Sequence, residues 1–318
     1  MDNVSQFSNL LILEPGTDSM FNEYTALHNV VNSYDNPDHI EIGPDYFQTS
    51  YSYPGIILSR DIILGRSSNG ELVASGTIFI HSTNPPSARI MIQVHPDYRH
   101  QGFGSKILEH LIRRARARRF SEIVCRIPTF RPDAIHFAEK HGFRHSHTLI
   151  KMQLEYEFPK RTIIVPTELK IRELDLDHEL DLWASLQNSI FRESENYKEI
   201  TIDSLASLTK HVGFDSDLLI VGEVDNIAIG YCLGMALNSV NGQKSEKILQ
   251  IQGIGVLHEY RGRGYAQALL NGVLTRGWTK GYTKSELLVL GSNTGAFQLY
   301  QKNGFTDRFG YLWYRREC

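Results

Sequence analysis

The apolar positions of the second half of the chain change period several times, and each change predicts an element. Leu218–Glu223 and Ile227–Ala236 are strand-forming runs around an Asp225-Asn226 turn, and Lys247–Val256 predicts a third strand. Ala268, Leu269, Val273 and Leu274 then fall at helical spacing, which predicts a helix starting in the glycine-rich stretch before them. Leu287–Leu290 predicts a short buried strand. Asn293–Asn303 predicts a helix stopped by Gly304, and Phe305–Arg316 predicts closing strands. The first half offers the same series: Ile56–Leu64, Leu72–Ile80, Arg89–Val94, Phe103–Arg119, Glu122–Ile127, Pro132–His141 and Phe143–Tyr156. Amphipathic helical stretches precede each series, around Met20–Asn32 and around His178–Asn188 with Ile202–Lys210.

The two series share one register. Gly102 falls on Gly264 and Gly142-Phe143 on Gly304-Phe305, both 162 positions further on, so the segment between these landmarks aligns without a gap. The Pro159- and Pro166-containing stretch Phe158–Thr167 is the expected linker, and a fresh strand is expected at Leu169–Arg172. Two domains of one mixed α/β fold follow, each a central mixed sheet flanked by helices, over residues 1–158 and 168–318. A chain of 318 residues is long enough for two such cores.

Composition narrows the function classes. A net charge of −3 supplies no electrostatic footprint for nucleic acid or an anionic membrane. The basic run Arg113–Arg119 is expected to be a solvated helix face near a C-terminus, where cations complement the dipole. No apolar stretch approaches the ~18 residues that span a bilayer, and Met1–Gln6 lacks the start of a signal peptide, so a cytoplasmic location is expected. Three distant cysteines, Cys125, Cys232 and Cys318, make no closed disulfide framework.

The chemistry concentrates in Arg261-Gly262-Arg263-Gly264-Tyr265-Ala266, placed where a strand ends and a helix begins. Glycines there permit a tight turn, and the free N–H groups of a helix N-terminus suit a phosphate or pyrophosphate. The spacing is neither a Walker A loop nor a dinucleotide fingerprint.

The loop resembles the acyl-CoA-binding motif of the GNAT superfamily of N-acetyltransferases, Arg/Gln-x-x-Gly-x-Gly/Ala. Arg261, Gly264 and Ala266 match it, and so do Arg99, Gly102 and Gly104 in the first half. Ile254-Gly255-Val256 and Ile92-Gln93-Val94 are similar to the segment whose backbone pairs with the pantetheine arm. Asn293-x-x-Ala296-x-x-Leu299-Tyr300-x-x-x-Gly304-Phe305 resembles a second motif of the family. The resemblance implies acetyl-CoA as co-substrate, no metal, and direct transfer to a primary amine. It also implies Tyr300 as the acid that protonates the departing thiolate, N–H groups near Val256 and Leu257 polarising the carbonyl, and Asn293 as a cofactor contact besides a helix cap.

The shared register places Ala138 where Tyr300 stands and Arg131 where Asn293 stands. The first domain is therefore expected to be non-catalytic, with its Ile92, Val94, Arg99, Gln101, Gly102 and Gly104 still able to hold the coenzyme. A general base is not apparent: the strand before the second loop holds only Gln250 and Gln252, leaving a glutamine-held water, Glu223, His258 or Glu259. His145 and His147 alternate on one strand and read as packing or exposed histidines. Cys125 and Cys232 read as core. The acidic stretch Ile190–Tyr197 suits a cationic acceptor or a solvated loop. A small-molecule amine is the expected acceptor, with a peptide amine as a second option, and the oligomeric state is left between monomer and homodimer. The alternative function is a non-catalytic acyl-CoA-binding sensor or scaffold.

Overall fold

The computed structural model describes residues 10–36, 39, 41–52, 55–83, 85–156, 165–193, 197, 199–211, 213–237 and 247–318. Most of the expected linker, 158–164, lies outside the described residues, as do positions 194–196 of the acidic stretch.

By Cα packing the described chain divides into two units: 10–149 with 309–318, and 150–237 with 247–308. The first unit runs β1 (Ile12–Pro15), α1 (Phe21–Asp35), α2 (Pro44–Tyr51), α3 (Leu58–Asp61), β2 (Ile62–Arg66), β3 (Leu72–Thr83), β4 (Pro86–Val94), α4 (Phe103–Ala117), β5 (Glu122–Pro128), α5 (Pro132–Lys140) and the start of β6 (Arg144–Glu155). The second runs from the end of β6 through β7 (Lys170–Glu173), α6 (Leu180–Phe191), α7 (Ile202–Leu208), β8 (Phe214–Val224), β9 (Ile227–Leu237), β10 (Ile248–Val256), α8 (Tyr265–Thr279), β11 (Lys284–Leu290) and α9 (Thr294–Lys302) to the start of β12 (Thr306–Glu317). The chain changes unit within β6 and again within β12. Residues 311–317 of β12 pair antiparallel with β5 in the first unit.

Each unit holds a mixed sheet. In the second, β7, β8, β9 and β10 are antiparallel neighbours, and β10 then runs parallel to β11. The parallel step is possible because α8 makes the crossover. Its Tyr265, Ala268, Leu269, Val273 and Leu274 repeat at helical spacing and are buried against Ile220, Cys232, Leu249, Ile251 and Leu287 of the sheet. The opposite face of β8 and β9 is covered by α6 and α7 through Trp183, Leu186, Ile190 and Leu205. In the first unit α4 packs in the same manner through Phe103, Ile107, Leu108, Leu111 and Ala115.

Three expectations need correction, and two elements stand outside the expected series. Residues 58–61 form a helical turn and not a strand, because the Asp61 carboxylate accepts from the Ile57 N–H at 2.8 Å and closes the turn. The closing segments of both halves are single long strands. β1 and α2 have no counterpart in the hydrophobic pattern, although Pro44 at the first helical position is a start signal. The basic run is an anchor more than a solvated face: Arg114 donates to the Arg60 and Ile62 carbonyls, and Arg118 pairs at 2.7 Å with the buried Asp61.

Candidate functional site

The loop in the second unit gets its shape from two left-handed glycines, Gly262 at φ +78° and Gly264 at φ +82°. Gly264 caps α8, so the first-turn N–H groups point out of the helix with no partner inside it. Arg261 fixes the loop to its surroundings: its guanidinium donates to the Val256 carbonyl at 3.1 Å and to the Ile190 carbonyl of α6 at 3.2 Å. Arg263 donates to the Glu259 carbonyl at 3.4 Å. Tyr265 turns its ring into the core and its hydroxyl donates to Glu168 at 2.8 Å, leaving its backbone on the loop side. Ala266 is half-buried against the α8 core.

Beside the loop the sheet opens. β10 and β11 are paired only from Ile248/Lys284 to Ile251/Leu287, after which the parallel strands diverge. The Leu257 N–H is spent on the Ile229 carbonyl at 2.8 Å, on the β9 side. Because N–H directions alternate along a strand, the N–H groups of Ile254 and Val256 face the open side. This corrects the expectation for Leu257, whose donor is already used. Gly255 lies under α6, where an added Cβ would come within 2.2 Å of Ile190 Cγ2.

α9 carries Tyr300 into the buried cluster that also holds Val256, at the end of β10. Tyr300 is 7% exposed, packs edge-on against Phe305 at 5.8 Å, and belongs to the same core cluster as Cys232 and Val256. Burial, reinforced by the neighbouring Cys232, pushes its phenol well above the ordinary value. Among the described residues its hydroxyl has no hydrogen-bond partner. Asn293 caps α9, its side chain accepting from the Ala296 N–H at 3.1 Å.

Face and register separate the base candidates. Glu223 is held by Arg172 at 2.6 Å and Lys170 at 3.6 Å on the β7–β8 side of the sheet. His258 and Glu259 are exposed on the short turn before the loop. Gln252 is an extra residue in β10, a bulge against β9, and its amide donates to Gln250 Oε1 at 2.5 Å. The parallel pairing also sets Gln250 beside Glu286, a buried carboxylate ion-paired to Lys151 at 2.6 Å. Glu286 lies outside the strand expected from sequence because only the apolar run from 287 onward marks it; the structure begins that strand at Lys284.

The first unit repeats the loop backbone with different chemistry. His100 takes the left-handed position of Gly262 at φ +61°, and Gly102 that of Gly264 at φ +81°. The His95 N–H is spent on the Val73 carbonyl at 2.8 Å, so the N–H groups of Ile92 and Val94 face the opening between β4 and β5, which pair only over three residues. A cavity of about 470 Å³ lies there, lined by Ile92, Val94, Arg99, Gly102, Gly104, Arg131 and Phe137 among others. Arg99 is a bidentate partner of the buried Asp35 at 2.8 and 2.7 Å, and Arg131 pairs with the same carboxylate. Gln101 donates to the Asp97 carbonyl at 3.2 Å. Ala138, where the second unit has Tyr300, is buried and offers no proton. At the cavity wall Gln93 bonds His28 Nδ1 at 2.7 Å, and burial lowers His28 to about 4.

Other candidates have structural partners. His147 stacks on Trp313 at 5.5 Å and His145 bonds Thr148 at 3.0 Å. Burial pushes the Cys125 thiol up to about 12 and raises Cys232 as well, so neither is poised as a thiolate nucleophile.

A fold repeated twice, each copy with a left-handed loop at a strand–helix junction beside a splayed parallel pair, defines a class of protein. The signature of the acetyltransferase (GNAT) family matches residues 25–143 and 180–305, and the chain belongs to that family: it is an N-acetyltransferase with two tandem GNAT regions. Among its relatives, the mycothiol acetyltransferase of Renibacterium salmoninarum is 25% identical over 80% of this chain and 75% of its own length. That of Stackebrandtia nassauensis is 26% identical over 76% and 78%. The aminoglycoside N(6')-acetyltransferase type 1 of Salmonella typhimurium is 25% identical over 47% of this chain and all of its own. The fold matches a GCN5-related N-acetyltransferase from Sphaerobacter thermophilus (TM-score 0.81, 20% identity, 96% and 95% covered). It also matches a tandem GNAT protein from the clavulanic acid biosynthesis pathway (TM-score 0.74, 14% identity, 97% and 98% covered). No helix among the described residues is long and apolar enough to cross a membrane.

Proposed function

We propose that the C-terminal domain transfers the acetyl group of acetyl-CoA directly to the primary amine of a small molecule, and that the N-terminal domain is non-catalytic. The observation that carries this is the contrast at one shared register position: a buried Tyr300 in the second unit and a buried Ala138 in the first. Arg261, Gly262, Arg263, Gly264, Tyr265 and Ala266 hold the pyrophosphate, the backbone of Ile254, Gly255 and Val256 pairs with the pantetheine arm, and Asn293 contacts it from α9. The outward N–H groups of β10 stabilise charge as it builds on the thioester oxygen. The amine nitrogen bonds to the carbonyl carbon, the carbon–sulfur bond breaks, and Tyr300 gives its proton to the thiolate. A small amine is favoured because relatives are named for an aminoglycoside and for mycothiol.

A second reading applies to the N-terminal domain alone, as an acyl-CoA sensor. Its retained loop and 470 Å³ cavity support coenzyme binding without chemistry through Ile92, Val94, Arg99, Gln101, Gly102 and Gly104. The test pairs calorimetry with acetyl-CoA on the whole chain with a screen of amines for coenzyme A release. Release with an amine, abolished by Tyr300→Phe, is expected; binding without release from any amine would leave only the sensor.

A further inference from the structure

The two sides of the opening between β10 and β11 differ in character. On the α8–α9 side, Tyr300 sits in an apolar cluster with Ile251, Leu287 and Val289. A polar amine has no path of low desolvation cost through that packing, so it approaches from the other face of the sheet. Side chains alternate across a strand, so Gln250 and Glu286, neighbours of Leu249, Ile251 and Leu287, belong to that other face.

Glu286 is 5% exposed, and Lys151 Nζ is 2.6 Å from its Oε2. Stability does not demand such a pair: a buried ion pair exchanged for apolar residues of similar volume is often neutral or stabilising. The first unit makes that exchange. Its parallel pair Arg89/Val124 occupies the register of Gln250/Glu286, with a buried valine in place of the glutamate. Glutamate accompanies Tyr300 in one unit, and valine accompanies Ala138 in the other.

We propose that Glu286 is the proton-accepting carboxylate for the acceptor amine, oriented by Lys151 and standing in for the carboxylate that β10 lacks. This rests on the reading of the C-terminal domain given above. Gln250 is four positions before Ile254, about 12 Å along the strand, so the proton travels along a file of several waters past the directly bonded Gln252–Gln250 amide pair, which orders the waters without carrying the proton itself. The nitrogen–hydrogen bond breaks as the carbon–nitrogen bond forms, the proton ends on Glu286, and Tyr300 separately supplies the thiolate. Solvent then takes the first proton and restores the second.

The test measures coenzyme A release with kanamycin and with glucosamine as amine probes, for the full chain and for Glu286→Gln, Glu286→Asp, Lys151→Met and Tyr300→Phe. Calorimetric affinity for acetyl-CoA and thermal melting report on folding. Glu286→Gln is expected to lower kcat roughly 100-fold with acetyl-CoA affinity intact, and to recover toward wild type as pH rises and the amine deprotonates unaided. Glu286→Asp should restore about tenfold of that loss, and Lys151→Met should lose at least about tenfold less than Glu286→Gln. Equal losses in Lys151→Met and Glu286→Gln, or a Glu286→Gln rate within threefold of wild type while Tyr300→Phe is slow, would overturn the assignment of Glu286 alone. Wild-type inactivity with both probes, or an undiminished Tyr300→Phe, would overturn the reading beneath it.

Discussion

Replacing Tyr300 with phenylalanine removes one oxygen and keeps the ring. The ring is what packs: it is 7% exposed and meets Phe305 edge-on at 5.8 Å, while the hydroxyl has no partner among the described residues. No buried group is left unsatisfied, so the stability change should stay within ~1 kcal/mol. Loss of a general acid costs ~10²–10⁴ in rate, about 3–5 kcal/mol on the barrier. The expected result is therefore a fall in kcat of at least about 100-fold, with the affinity for acetyl-CoA unchanged by calorimetry. The raised pKa adds a second expectation. A phenol above its ordinary value near 10 keeps its proton across the alkaline assay range, so wild-type kcat, followed by thiol release at saturating acetyl-CoA, should show no falling limb between about pH 8 and 10. A Tyr300→Phe rate within threefold of wild type refutes the role, and a falling limb at the ordinary tyrosine value refutes the electrostatics.

Gly255→Ala places a methyl 2.2 Å from Ile190 Cγ2; overpacking of this kind costs ~1–3 kcal/mol, and since the Ile190 carbonyl anchors Arg261, acetyl-CoA affinity should fall together with the melting temperature. A variant that melts as wild type would show that α6 yields freely. His28 is held near 4, below its ordinary value near 6.5, so the unfolded chain takes up this proton first as pH falls. Its contribution is complete above about 6.5 and is lost on the way down to 4, at most ~3 kcal/mol. His28→Gln should flatten denaturant-measured stability over that window, because glutamine can still bond Gln93, and an unchanged slope counts against the buried histidine as its source. His100→Gly relieves a left-handed residue worth ~1–2 kcal/mol against a glycine entropy cost of ~0.5–1, a net gain of roughly 0.5 kcal/mol by urea unfolding. A net loss would mean that the histidine side chain has a compensating contact.

Much of the fold was legible because its signals are local. The strands of the sheets follow from apolar runs, the helices α4 and α8 from their periodicity, and the loops from glycines that the backbone requires at φ near +80°. The contrast between Tyr300 and Ala138 was legible because one register links the halves. What escaped depends on partners distant in sequence. Arg114 and Arg118 look like a solvated run until Asp61 and the carbonyls around it are brought under them. Glu286 acquires meaning only when the parallel register sets it beside Gln250 and an ion pair ties it to Lys151. The bulge at Gln252 is a single inserted residue in a strand whose composition carries no sign of it.

The pairing of β12 with β5 has a consequence for how the molecule is made. β5 leaves the ribosome some two hundred residues before its final neighbour, so during synthesis the first sheet waits with an open edge, a surface that invites strand addition from another chain. Removing residues 309–318 would spare every group proposed for acetyl transfer and yet strip the first unit of the strand that pairs with β5. Residues 311–317 thus finish a sheet begun in the first half of the chain, and a cut between the two sequence repeats would divide the molecule where its sheets do not.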